Sequence, residues 1–340
     1  MAGATVVAGT GREPRGPRGR EVARRVLREA GIGIALLVMV VFFALVAKDF
    51  TTHENISNIL TQITINLILA TGMTFAILIG GIDLSVGAVM ALCAVVAGSV
   101  LTAEALPVWA AVVGGIVAAL LMGMACGAMN GFISSFWGVP SFIVTLGMLN
   151  VARGAALQVT NARTIYDFPD GFNAVGTATV AGVPVIFLLA LGLLVLGWVV
   201  LTRTVFGRMI YAIGNNEEAV RLSGHRPFAV KVLAFTVTGG CVGIAAVAYM
   251  ARLTIANPIL GVGFELNAIA AVIIGGTSLS GGRGSLIGTL LGAAIIGVLA
   301  NGLILMGVTD FTRQIITGLV IIGAVILDSY RARLAVRGAV

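Results

Sequence analysis

One carboxylate stands inside an otherwise apolar stretch, "ILIGGIDLSVGAVMAL" at 77–92, with Gly80 and Gly81 before Asp83 and with Ser85 and Gly87 after it. Paired glycines weaken a helix. A helix broken in apolar surroundings frees N–H and C=O groups that only protein or a water-filled cavity can satisfy. An ionisable side chain at such a place is costly unless it is paired or lines a cavity. Asp83, Ser85 and Asn66, with the break at Gly80–Gly81, therefore read as the wall of a polar path or as a gate. The same carboxylate can instead cap the following helix, whose positive dipole end favours a negative charge. The two readings are compatible, and both stay open on sequence alone.

A second polar stretch, "GRMIYAIGNNEEAVRLSGHRPF" at 207–228, carries helix punctuation. Asn215 or Asn216 fits the N-cap, Glu217 and Glu218 the first turn, and Gly224 the C′ position, with Pro227 beyond. The pattern predicts a short helix over 216–223, suited to docking a partner; the competing reading is an ordinary solvated linker. A third stretch, 251–276, places Arg252, Asn257, Pro258 and Glu265 around a loop, either touching an external partner or forming a structured turn.

The elements that must position these residues are membrane helices. Of 340 residues, 59% are hydrophobic and 10% charged, and the mean hydropathy is +1.07. Soluble domains carry roughly 25% charged residues. Continuous apolar runs, rather than alternating segments of ~10 residues, exclude a membrane barrel and give an all-α polytopic protein. Ten spans are expected, at roughly 31–47, 61–80, 86–103, 108–133, 141–158, 183–202, 228–250, 265–279, 284–304 and 312–329. They form a transmembrane domain over 31–329, between a basic, disordered extension at 1–30 and a short tail at 330–340. Thr51 and Glu54 have the spacing of a capping box that would start a short surface helix before the second span. Arg12, Arg15, Arg18, Arg20, Arg24, Arg25 and Arg28 precede the first span, Arg203, Arg208, Arg221 and Arg226 occupy one loop, and Arg331, Arg333 and Arg337 follow the last span. That bias puts both termini in the cytoplasm and accounts for the net charge of +7 without nucleic acid.

Glycines spaced by four, Gly123, Gly127 and Gly131 or Gly239 and Gly243, read as close helix packing. Cys93, Cys126 and Cys241 lie singly in apolar runs and read as small buried hydrophobes. With only His53 and His225, no metal-ligand cluster forms, and no cofactor is expected. No catalytic constellation converges either. Lys48 and Lys231 do not follow a glycine-rich loop, so the chain has no nucleotide site of that kind. One internal echo remains. "IGGIDLSVG" (79–87) and "IGGTSLSGG" (274–282) share six of nine residues, setting Gly275, Gly276 and Ser278 beside Gly80, Gly81 and Asp83 as parts of a path or gate. The copies read as an internal repeat, in parallel if the span count holds and inverted if one span is miscounted.

The stretches "GGIDLSVG", "GNNEEAVRLSG" and "ELNAIAAVIIGGTSLSGGRGS", with Asn301-Gly302, together resemble the permease subunits of ribose-type monosaccharide ABC importers. These belong to a bacterial permease group that also serves branched-chain amino acids and nucleosides. The resemblance runs from about 31 to 329. It implies a multi-pass protein of the bacterial inner membrane, a cytoplasmic ABC ATPase, an extracytoplasmic sugar-binding protein and a second permease subunit, with a ribose-like pentose as cargo. It further implies that Gly214, Asn216, Ala219, Leu222, Ser223 and Gly224 form the ATPase-coupling segment, with Glu217, Glu218 and Arg221 adding charge, although relatives often carry a small residue where Glu218 stands. Arg252, Asn257, Pro258 and Glu265 would then face the binding protein. The alternative is a proton- or ion-coupled carrier working through Asp83.

Overall fold

The computed structural model describes the backbone of residues 17–337 and the side chains of 29–326. Its elements run α1 (Pro17–Val46), α2 (His53–Leu78), α3 (Val86–Leu101), α4 (Val108–Trp137), α5 (Ser141–Thr160), α6 (Asp170–Thr177), β1 (Thr179–Val180), β2 (Val183–Pro184), α7 (Val185–Arg203), α8 (Val205–Leu222), α9 (Pro227–Leu253), α10 (Phe264–Ile274), α11 (Leu286–Leu305) and α12 (Asp310–Arg337). The two strands form one short antiparallel hairpin.

Each expected span corresponds to a helix, with three corrections. Helix α1 begins at Pro17, so the chain is already helical over much of the extension expected to be disordered; the expectation for residues 1–16 lies outside the described residues. Thr52, not Thr51, is the cap near residue 53: its hydroxyl accepts from the Asn55 N–H at 3.3 Å, so it starts α2 itself and no separate surface helix precedes it. The third correction matters most. Seven helices among the described residues are long and apolar enough to cross a membrane, but α3 has 16 residues and α10 only 11. At 1.5 Å per residue these reach roughly 24 and 16 Å, short of a ~30 Å hydrocarbon core. The spans expected at 86–103 and 265–279 are therefore partial helices. The crossing that α10 cannot make is completed by the segment before it. Ala256 packs on Gly98 near the end of α3 and Gly261 packs on Gly87 near its start, so residues 256–261 descend beside α3 into the bundle.

The core lies along α2, α3 and α9, which are apolar on every side and largely buried, as all-round hydrophobic helices must be. Helix α4 packs closely on α9 through its small residues: a β-carbon at Gly123 or Gly127 would strike the carbonyl oxygen of Gly239 or Phe235. The three cysteines are free and buried, as expected. Large apolar side chains such as Leu45, Leu121, Leu189, Ile315 and Leu319 point outward, where lipid is their solvent.

Two contacts orient the bundle. The amide groups of Asn55, at the start of α2, and Asn301, near the end of α11, exchange hydrogen bonds of 3.0 Å. At the other end, the Gly282 N–H, just before α11, donates to the Leu78 carbonyl in the last turn of α2 at 2.9 Å. Helices α2 and α11 are therefore antiparallel. The breaks after α2 and α10 end on one side of the bundle, the side that carries α8. The two echoed segments consequently share an orientation, which settles the choice left open by the sequence in favour of parallel copies.

Candidate functional site

The first break, 79–85, is closed by its own side chains and by those of two helices, α4 and α5. Helix α2 ends with Gly80 in the left-handed region (φ 78°), and the N–H groups of Gly80 and Gly81 return to Ile77 and Ala76 (both 2.9 Å). Beyond it, the Ile82 N–H donates to the Ser141 hydroxyl and the Leu84 N–H to the Thr145 hydroxyl, both at 3.0 Å. The first two turns of α5 thus satisfy the backbone that the break frees. Asp83 is buried at 3% exposure. One carboxylate oxygen accepts the Ser85 N–H (2.8 Å) and the Ser85 hydroxyl (2.6 Å), while the Asn130 amide of α4 donates to Ser85 Oγ (3.0 Å) and lies 3.5 Å from the other oxygen. Asp83 therefore folds the turn onto itself and onto α4 instead of accepting from the first-turn amides of α3, whose N-cap Ser85 makes no side-chain cap bond.

The second break, 275–285, repeats that helix ending one residue out of register. Here the left-handed residue is Gly276 (φ 81°), and Gly276 and Thr277 donate to Ile273 (2.8 Å) and Val272 (3.1 Å). The sequence alignment pairs Gly80 with Gly275, whereas conformation pairs it with Gly276. From there the chain turns back on itself, Ser278 N–H to Arg283 O at 2.8 Å and Gly281 N–H to Ser278 O at 3.0 Å.

Helix α8 meets both breaks at one point. A β-carbon on Gly214 would collide with the Leu78 carbonyl oxygen and the Gly282 nitrogen, and one on Gly281 would crowd Gly80 and Gly214. Asn215 adds a bond from its amide to Gly282 O (3.3 Å), and the Tyr211 hydroxyl donates to Gly284 O (3.1 Å). Immediately after this junction α8 kinks. Asn216 takes an extended conformation (φ −161°, ψ 96°), and its side chain accepts the Ala219 N–H at 2.9 Å, capping a new turn that ends at Gly224 (φ 83°). Of the two caps the sequence allows, Asn216 is the one used. Glu217, Glu218, Ala219, Arg221 and Leu222 are exposed. Glu218 pairs with Arg221 (2.7 Å) and Glu217 with Lys231 of α9 (3.1 Å). That second pair stands beside a cavity of about 230 Å³ whose lining includes Gly80, Gly81, Ser141 and Phe235.

The structure thus joins the two breaks at Gly80, Gly214, Gly281 and Gly282, with Gly81, Asp83 and Ser85 in the first break and Gly275, Gly276 and Ser278 at the second. Asn66 belongs to neither. It lies about three turns up α2 from the break, with both polar atoms of its side chain buried and unpaired. Of the expected external contacts, Arg252 is exposed, Pro258 is buried, and Glu265 turns inward, its carboxylate accepting the Gly263 N–H (3.1 Å) and lying where a β-carbon on Gly87 would stand. Sequence reasoning missed Asn130, Ser141, Thr145 and Arg153. The first three are ordinary polar residues far along the chain from Asp83, and nothing local marks them. Arg153 carried a readable signal, a lone charge inside the apolar run 141–158.

Residues 55–325 match the family described as branched-chain amino acid transport system / permease component. The ribose import permease of Haemophilus influenzae is 41% identical over 310 residues, covering 90% of this chain and 94% of the relative. That of Bacillus subtilis is 40% identical over 305 residues (89% and 93%), and the D-allose transport system permease of Escherichia coli 38% over 295 (87% and 89%). No solved structure matches the chain. These relatives are named as permease components of transport systems, not as enzymes. With its membrane helices, its capped α8 turn and its paired breaks, the chain belongs to this permease family, as a multi-pass membrane component of the ribose-type sugar ABC importers.

Proposed function

We propose that the protein carries a ribose-like pentose inward across the bacterial inner membrane, paired with a second copy of itself, with a cytoplasmic ATPase seated on residues 217–224 and a sugar-binding protein docking on the opposite face. The observation that carries the reading is the junction of Gly214 with Leu78 and Gly282, where the part of α8 leading straight into an exposed, separately capped turn touches both membrane breaks. A rigid element in contact with both the motor and the path is what moves a conformational change over distance. Ala219 is exposed and Gly224 has no atom near its missing β-carbon, which leaves room for a partner surface.

In this reading the α8 side is cytoplasmic. Its arginines (Arg203, Arg208, Arg221 and Arg226) follow the basic bias of cytoplasmic loops, and the Ser285 hydroxyl on that side bonds Glu29 of α1, so the start of the chain lies there as well. Asp83 and Ser85 hold the first break in shape beside the path, and the second break yields when the α8 turn moves. Arg252, exposed at the end of α9, meets the binding protein. Support for a pentose comes from relatives of about 40% identity named for ribose.

The test is reconstitution in proteoliposomes with the ATPase and the binding protein. Labelled ribose uptake should require ATP and survive a protonophore, and ribose should outcompete allose and arabinose. Uptake that needs no ATPase and collapses with the proton gradient would overturn the importer reading. Preference for another sugar would overturn the pentose assignment only.

A further inference from the structure

Arg153 sits in α5, half-buried in the bundle, and belongs to none of the parts assigned above. Its Nη1 donates to the carbonyl of Pro258 at 2.9 Å and to that of Leu260 at 2.8 Å. Both carbonyls lie in the segment that descends beside α3. Backbone outside a helix is tolerated at such depth only when protein satisfies it, and a carbonyl stripped of its donor there carries a desolvation cost. Between its contacts at Ala256 and Gly261, the segment's backbone is therefore held by this side chain.

The consequences run both ways along the chain. Toward the α8 side, Gly261 packs on Gly87, two residues past Ser85, and Gly263 opens α10, whose far end is the second break. Toward the opposite side, Ala256 and Ile165 exchange backbone hydrogen bonds of 2.9 Å, which tie in the loop after α5, and exposed Arg252 stands four residues earlier. One guanidinium thus fixes a strut that touches the first break, leads to the second, and surfaces on the face away from α8.

We propose that Arg153 is a positioning residue that holds this re-entrant strut so that docking of the binding protein on the far face reaches both breaks. The inference rests on the importer reading. Arg153 takes no part in holding nucleotide, sugar or the ATPase. Because both bonds come from a single nitrogen, an ammonium group can replace much of the role, and a side chain without N–H groups cannot.

The test uses the whole complex of permease, ATPase and binding protein in lipid. In Arg153→Met, stimulation of ATP hydrolysis by the binding protein should fall by about ten-fold, within the range of ordinary coupling between sites. Unstimulated hydrolysis and co-purification of the ATPase should stay as in the unaltered chain, and Arg153→Lys should recover most of the loss. A second readout places a thiol on the strut as Val262→Cys, at a side chain 75% exposed, in a chain whose own cysteines are all buried. A charged maleimide should modify it faster when Arg153→Met is added. Unchanged stimulation with an unchanged thiol rate overturns the proposal. So does a parallel fall of stimulated and unstimulated hydrolysis with no rescue by lysine, the mark of general destabilisation. If the unaltered complex itself shows no stimulation, the importer reading fails, and the thiol rate alone still decides whether Arg153 holds the strut.

Discussion

The turn at 79–85 is fastened by a buried side-chain network, and the turn at 275–285 mainly by backbone and glycine packing with single bonds from Asn215 and Tyr211 of α8, although both follow a helix that ends on a left-handed glycine. In the first, Asp83, Ser85, Asn130, Ser141 and Thr145 fasten the chain to α4 and α5. In the second, Ser278 and Ser280 share one hydroxyl contact of 2.9 Å, the buried Thr277 hydroxyl has no partner among the described residues, and Gly281 and Gly282 lie against α2 and α8. A turn fixed by many specific groups has one arrangement. A turn held by peptide bonds, glycine packing and two bonds from one helix can shift with that helix without breaking a wider side-chain network. The first break is thus the fixed part and the second the adjustable part, and α8 touches them where they meet.

The largest effect is expected at the meeting point. Gly214→Leu drives a side chain into the Leu78 and Gly282 backbone, where overpacking costs about 3 kcal/mol. Uptake should be abolished while the exposed turn 217–222 still binds the ATPase, read by transport and co-purification. Normal uptake in this variant would remove the junction from the mechanism. Next comes Asp83→Ala, which strips the Ser85 N–H and the Asn130 amide of an acceptor and should cost about 2 kcal/mol in detergent thermal unfolding. Asp83→Asn, which keeps an oxygen for Ser85, should cost less. If Ser278→Ala destabilises as much as Asp83→Ala, the contrast between fixed and adjustable turns is wrong.

A matched pair sharpens the comparison at smaller scale. Thr145→Val leaves the Leu84 N–H unpaired and should lower stability by about 1 kcal/mol. Thr277→Val removes a hydroxyl that bonds nothing among the described residues and should be neutral or slightly stabilising. Equal losses in the two unfolding curves would contradict the assignment. The smallest change belongs to Glu218→Gln, whose exposed pair with Arg221 is worth about 0–1 kcal/mol, so affinity for the ATPase should barely move.

These residues also mark where the sequence speaks and where it is silent. The capped turn was legible because capping is local: Asn216 and Gly224 act within eight residues of each other. Asp83 was legible because a charge in an apolar run is conspicuous, but its partner Asn130 is 47 residues away and only folding brings it close. The membrane helices followed from hydropathy, although α3 and α10 are too short to span alone. The strut did not, because Asn257, Pro258 and Gly261 make 255–262 read as an ordinary loop between spans; its descent into the bundle is tertiary, set by packing on α3 and the bonds from Arg153. The one-residue slip between the echoed breaks was likewise invisible, since identity pairs letters whereas conformation pairs positive φ angles.

The reciprocal amide pair of Asn55 and Asn301 gives the molecule a fulcrum. It pins α2 to α11 at the end remote from α8, whereas nearer α8 the two helices meet through the Thr74–Thr289 hydroxyl pair (2.8 Å) and the Gly282 N–H on the Leu78 carbonyl. From Asn55 to Leu78, α2 is a rod of roughly 35 Å, so a tilt of about 5° around the pinned end displaces the far tip by about 3 Å. That is enough to open a hydrogen bond such as the one from Gly282 to Leu78 while the pinned end stays shut. A swing at the α8 face therefore fades along the rod, and the end pinned by the two amides hardly moves.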